Sequence, residues 1–258
     1  MLALLATGCF LFGLAVGSFV NVVIYRVPRG ESVITPRSRC PTCGVQIRDR
    51  DNIPVLSWLL LRGRCRDCGA RISPQYLFVE LGCGGLFAGL ALRLGCNWEL
   101  PAYLVLAAGL VALSCLDLER LILPTRIVYP TLAAVALLLV LAAAASHEWF
   151  RLGDAAACSA AWFAFFFVLN FANPKLLGFG DVRLALVLGL GLGWLGWRYV
   201  ILGFLAANLI GATVGLALIG LKKMTRDQQI PYGVFLSAGV MIAIFAGPEI
   251  ISSLHGFR

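Results

Sequence analysis

The stretch Gly178-Phe179-Gly180-Asp181-Val182-Arg183-Leu184-Ala185 is a glycine-containing turn that delivers a carboxylate to the mouth of a long apolar segment, Val182 to Trp197. An acid at membrane depth is expensive, faces a protected cavity and is functional by default. The same residue also reads as a helix N-cap, because Asp is a favoured cap and Gly180 is a plausible turn residue before it. A second such acid, Asp117, stands at the end of another apolar run and tips the balance toward function.

Composition carries the reading outward from this turn. Of 258 residues, 60% are hydrophobic and 13% charged, and mean hydropathy is +0.89. An ordinary soluble domain carries roughly twice that charged fraction. The chain therefore reads as an all-α polytopic membrane protein. Its formal charge of +8 fits a basic face against anionic lipid, with membrane lipid rather than nucleic acid as the partner.

Residues 1–25 are apolar, and Arg26 and Arg29 follow them. A cleaved signal peptide has its charges first, so this is an uncleaved first helix with its N-terminus outside. The polar stretch 26–75 then holds ten arginines against four acids, a net charge of +6, which makes it cytoplasmic under the positive-inside rule. Residues 76–258 complete a seven-helix membrane domain. Its apolar runs lie near 76–95, 101–118, 125–145, 155–172, 181–198, 199–220 and 230–250. Fixing the arginine-rich loop inside also places Lys222, Lys223 and Arg226 inside, giving about eight transmembrane helices with both termini outside. Asp117 and Asp181 then share the cytoplasmic ends of their helices. The break with least linker lies near Arg198.

The loop carries Cys40-Pro41-Thr42-Cys43 and Cys65-Arg66-Asp67-Cys68. Two CxxC pairs at this spacing resemble a zinc ribbon, in which Cys40, Cys43, Cys65 and Cys68 hold one structural ion. A reducing cytoplasm argues against a disulfide, and a redox CxxC needs no second copy. A loop this short has little core, so a metal is a sensible way to fold it. Cys9, Cys83, Cys96, Cys115 and Cys158 stand singly in or beside apolar helices and read as small packing residues.

Around the first acid the chain reads Cys115-Leu116-Asp117-Leu118-Glu119-Arg120-Leu121-Ile122-Leu123-Pro124. Leu123-Pro124 ends the helical run, since proline disfavours helix at the residue before it. Glu119 points to another face, and Arg120 and Arg126 read as headgroup anchors. Two carboxylates in one low-dielectric site share a proton, one acting as base toward water and the other donating to a carbonyl. That is aspartic-protease chemistry, and the same pair equally suits the proton relay of a transporter. A scaffold without chemistry is the third reading. His147 and His255 read as surface residues, and no GxSxG or HExxH sequence occurs. Gly191-Leu192-Gly193-Trp194-Leu195-Gly196 matches a dinucleotide fingerprint, but it sits inside an apolar span with no preceding strand, so helix contact explains it better.

Together these residues resemble the bacterial type IV prepilin peptidases, the leader peptidase/N-methyltransferases of the GxGD aspartic protease family. The resemblance runs from Gly17-Ser18-Phe19-Val20-Asn21 through the four cysteines, Asp51-Asn52-Ile53-Pro54, Ile72-Ser73 and Glu80. It continues through Asp117 to Pro124 and Gly178 to Asp181, and ends at Ile230-Pro231-Tyr232-Gly233. Glu119 stands where the family usually has Asp, Thr125 where it has an acid, and Tyr76-Leu77-Phe78-Val79-Glu80 where it often has Tyr-Pro-Leu-Val-Glu. The resemblance implies Asp117 and Asp181 as the catalytic pair. It implies a prepilin or type II secretion pseudopilin as substrate, cut after a glycine at the cytoplasmic face of the inner membrane. It also implies methylation of the new N-terminus from S-adenosylmethionine, whose binding residues the sequence leaves unassigned. Oligomeric state is left open.

Overall fold

The computed structural model describes residues 1–174, 177–222 and 230–255. Lys223 and Arg226, part of the second basic loop, lie outside the described residues, as does the side chain of His255. The described chain is built from nine α-helices. These are α1 (Leu2–Arg26), α2 (Leu56–Leu60), α3 (Gln75–Leu94), α4 (Leu100–Arg120), α5 (Thr125–Ser146), α6 (Trp149–Ala172), α7 (Phe179–Leu195), α8 (Trp197–Gly220) and α9 (Tyr232–His255). No strand occurs among the described residues, only two isolated bridges in the four-cysteine loop.

Seven of these helices have the length and apolar composition to cross a bilayer: α1, α3, α4, α5, α6, α8 and α9. The other expected span is α7, at 17 residues the shortest of the long helices. At 1.5 Å per residue it is about 26 Å long, just under the hydrocarbon thickness. Twelve of its residues are buried, so α7 is wrapped by other helices rather than by lipid.

The chain divides into two compact units, Met1–Leu100 and Pro101–Arg258. In the first, α1 and α3 run side by side at close range. A Cβ on Gly17 would lie 2.7 Å from Glu80 Cα, so only glycine lets the two backbones approach so far. The four-cysteine loop springs from this pair. Arg26 turns back to donate to the Ser32 carbonyl at 2.9 Å and the Pro36 carbonyl at 2.7 Å. Glu80 accepts from the Val55 amide at 2.7 Å, and Val55 is the cap residue immediately before α2, with φ at +62°. A bulky residue in that conformation is strained unless its surroundings hold it there.

The second unit is organised around α7, packed against α5, α6, α8 and α9. A Cβ on Gly193 would lie 2.8 Å from Ala155 Cα of α6, and one on Gly191 would lie 2.7 Å from Leu106 Cδ2. The first two of the dinucleotide-like glycines are thus spent on helix contact. Tyr103 of α4 donates its hydroxyl to the Gly191 carbonyl at 2.7 Å, and Ser159 of α6 donates to the Leu186 carbonyl at 2.8 Å, two polar ties through the core.

Three helix boundaries differ from the sequence expectation. The turn between α7 and α8 falls at Gly196, whose φ of +123° reverses the chain in one residue. The gap before α6 is only His147 and Glu148, and a surface ion pair between Glu148 and Arg151, 3.1 Å apart, spans the first turn of the helix. Finally, α4 stops at Arg120, since Leu121 adopts a left-handed φ of +54° before proline can act.

Candidate active site

Asp117 lies in the last turn of α4 and is only 6% exposed. Its Oδ2 accepts from the Val234 amide at 3.3 Å, and the Gly233 amide also donates to the carboxylate. Those donors belong to the first turn of α9, where amides lack an intrahelical partner and the helix presents its positive end. A Cβ on Gly233 would stand 2.9 Å from Asp117 Oδ2, so the carboxylate rests where a side chain would otherwise begin.

Asp181 is 9% exposed and occupies the third position of α7. The cap residue is Gly178, not Asp181, which corrects the capping expectation: Gly178 alone has the extended backbone of a cap. The Asp181 carboxylate instead reaches back to accept from the Gly178 amide, the reciprocal half of a capping box. Only one oxygen is used in this way. Asp181 Oδ1 is buried with no hydrogen-bond partner among the described residues. A carboxylate oxygen left like this inside a protein is costly to maintain, and active sites tolerate it because a substrate or water completes it.

Asp117 is one of the charges that act on Asp181, so the ends of α4 and α7 that carry the two acids lie near one another. Leu123, in the connection between α4 and α5, packs between the helix starts. A Cβ on Gly180 would meet Leu123 Cβ at 3.0 Å, and one on Gly233 would meet both Leu123 Cδ atoms at 3.2 Å. Tyr232 closes a further side, its ring stacked on Phe166 with centroids 6.3 Å apart and its hydroxyl 3.3 Å from Asn208 Oδ1. Glu119 is exposed, so it is not part of this cluster.

In the first unit, Cys40, Cys43, Cys65 and Cys68 bring their four sulfurs within 4.8 Å of one another. All four are free thiols. Cys40 and Cys68 Sγ are 3.8 Å apart, close to the edge of roughly 3.8 Å that a tetrahedron of 2.3 Å Zn–S bonds requires. The donor set fits zinc. Two copies of one hairpin build the cluster. Arg39 bridges Gln46 and Arg64 bridges Arg71, while the Cys40 amide bonds the Val45 carbonyl as the Cys65 amide bonds that of Ala70. Gly44 and Gly69 take φ of +72° and +71° at equivalent corners. Arg66 clamps the copies by a forked pair to Asp51, as close as 2.6 Å, which holds the Asp51 carboxyl below its usual range. Hydrogen bonds from the Cys43 and Thr42 backbone outweigh burial and bring Cys40 down to about 6. The Ala70 amide acts the same way on Cys68, yet burial and the neighbouring thiols push it up to about 12.

Comparison with known proteins agrees with this two-part layout. Residues 11–94 match the Bacterial Peptidase A24 N-terminal domain, and residues 104–216 match the Type IV leader peptidase family. The prepilin leader peptidase/N-methyltransferase of Stutzerimonas stutzeri is 33% identical over 95% of this chain and 92% of its own length. The chain belongs to the type IV leader peptidase family. The protein of the same name from Aeromonas hydrophila is 36% identical over 93% of this chain and 90% of its own, and that of Pseudomonas aeruginosa 31% over 93% and 90%. No solved structure matches.

In this leader peptidase, Gly233 and Leu123 are the site neighbours that sequence reasoning left unassigned. Both lie inside longer motifs whose other residues carry the chemistry. The available signal was depth, since Tyr232-Gly233 opens the last apolar run at the level where Asp117 closes its own.

Proposed function

We propose that this leader peptidase is a membrane aspartic endopeptidase that removes the short leader of prepilins or type II secretion pseudopilins and then N-methylates the new terminus. Membership of the family and the names of its relatives support both activities, and nothing among these comparisons supports the transporter reading. One observation supports the assignment of residues: two buried acids, 64 positions apart in sequence, lie at helix ends near enough for the charge of Asp117 to act on Asp181, and one of them keeps an unpartnered oxygen.

The chemistry follows from that arrangement. A water between Asp117 and Asp181 gives a proton to one carboxylate while the other protonates the scissile carbonyl. Oxygen adds to the carbonyl carbon, and the tetrahedral adduct collapses as the amine leaves with a proton returned by the pair. The α9 amides hold Asp117 in place through these proton movements. The basic loop, with Arg26 and Arg29 following the first apolar run, supports an orientation with the acids at the cytoplasmic face of the inner membrane, where a soluble leader meets its apolar helix. That depth suits a cut beside the membrane rather than within it.

Zinc bound by Cys40, Cys43, Cys65 and Cys68 would act as a structural ion, fastening the two hairpins. The methyl donor is S-adenosylmethionine, which supplies the methyl group when bound. The buried polar groups of the first unit do not assemble a fit for it. Glu80, Asn21 and Arg26 bond the chain's own backbone, and Trp58 Nε1 is a single unpaired donor.

The test is cleavage of a purified prepilin in detergent. Asp117→Asn and Asp181→Asn should each slow leader removal by about a hundred- to ten-thousand-fold. Full activity in either variant sinks the pair.

A further inference from the structure

We infer that Leu123 is a specificity residue, the wall that limits the amino acid on the leader side of the scissile bond to one with almost no side chain. The inference rests on the proposed pairing of Asp117 and Asp181. To be cut, a peptide must lay its carbonyl against both carboxylates. The backbone around those carboxylates is stripped of side chains at three points, Gly178, Gly180 and Gly233.

Leu123 refills two of the three clearings. Its Cβ lies where it meets a Cβ on Gly180 at 3.0 Å, and its two Cδ atoms meet a Cβ on Gly233 at 3.2 Å. The Gly178 position stays comparatively open, with Asp181 Oδ2 at 3.5 Å as its nearest neighbour. Leu123 is half-buried, so one side of it remains available to a peptide. A leucine wedged between the helices that carry the acid of one side and the amides of the other has little room to retreat.

Direction follows from topology. Leu123 sits in the α4–α5 connection, beyond the end of the helix that carries Asp117. With the acids at the cytoplasmic face, that connection is the region a leader must pass, whereas the residue after the cut enters the membrane with the apolar helix. The crowding therefore falls on the leader side. A glycine there passes under Leu123. An added methyl meets it.

The experiment measures kcat/KM for two purified prepilins, one with glycine before the cut and one with alanine, using wild-type enzyme, Leu123→Ala and Leu123→Val. Leu123→Ala should raise the alanine-to-glycine ratio by about tenfold or more, the scale of one methylene in a fitted pocket. Leu123→Val removes the Cδ atoms over Gly233 but keeps the Cβ over Gly180, and should give an intermediate ratio. An unchanged ratio in a variant that still cuts the glycine substrate overturns the inference. Loss of cleavage of both substrates in both variants also overturns it, because Leu123 would then be a packing residue. Asp117→Asn and Asp181→Asn run alongside on the glycine substrate alone. Full rates there would refute the acid pair, while the ratio reports on Leu123 separately.

Discussion

The four-cysteine loop and the aspartate site solve the same problem, holding charged groups together, by opposite means. The cysteines are gathered by two short hairpins that repeat one hydrogen-bond pattern, each contained within a few residues of chain. The aspartates are gathered by packing. Asp117 meets an amide 117 positions later, and Leu123 bridges the starts of α7 and α9. Local geometry builds the first site, so a bound ion can complete it. Only a finished helix bundle builds the second, so changes to helix contacts should reach its chemistry directly.

The sharpest way to break this contrast is Gly233→Val. A branched side chain at that position must displace either the Asp117 carboxylate or Leu123, since a Cβ alone would stand 2.9 Å from Oδ2. Leader removal should fall by about a hundredfold or more while the protein remains folded in detergent. Gly233→Ala, tested beside it, should fall less. Equal activity in all three would show that α9 does not position Asp117.

The contrast also explains what the sequence could show. The cysteine pairs declare their site by spacing, and hydropathy marked α1, α3 and α4 to within a few residues. Asp117 and Asp181 stood out because acids are rare in such segments. Gly233, Leu123 and the wrapped position of α7 did not, because they depend on which helix ends meet. Periodicity is silent on that. Likewise, Leu121 ended α4 by a left-handed turn that no proline rule foresees, and α6 starts at Trp149, taking in residues that read as loop.

A second measurement works from the other side of the comparison. Removing zinc, or replacing Cys40 with Ser, should unfold the hairpins of the loop. Leader removal should survive within about tenfold, because the acids belong to the other compact unit, whereas structural zinc sites contribute folding energy outright. Metal analysis of an active, never-chelated preparation should give one zinc per chain. Its absence would remove the zinc assignment.

The smallest effect lies in the Arg66–Asp51 clamp. Arg66 is substantially exposed, which weakens the pair, although the Asp51 side chain is only 8% exposed. Asp51→Asn should cost only a few-fold in zinc retention against a chelator. The pH dependence has a definite sign. The Asp51 carboxyl is held below its ordinary value, so the clamp contributes fully above that ordinary value and is lost as pH falls through the depressed one. Cysteine protonation releases zinc well before that point, so wild type should hold zinc better than Asp51→Asn by the same factor across the whole pH range in which zinc stays bound. Zinc retention that weakens through neutrality in wild type alone would contradict this.

The most direct test of the shared site is the double variant. Two acids that act on one water form a unit, and removing both should cost no more than removing either. Rates of prepilin cleavage by Asp117→Asn, Asp181→Asn and the combined variant, followed by intact mass of the product, give the comparison. The account predicts three nearly equal, severely reduced rates. Losses that multiply in the double variant, or a single variant that cuts as fast as wild type, would contradict it.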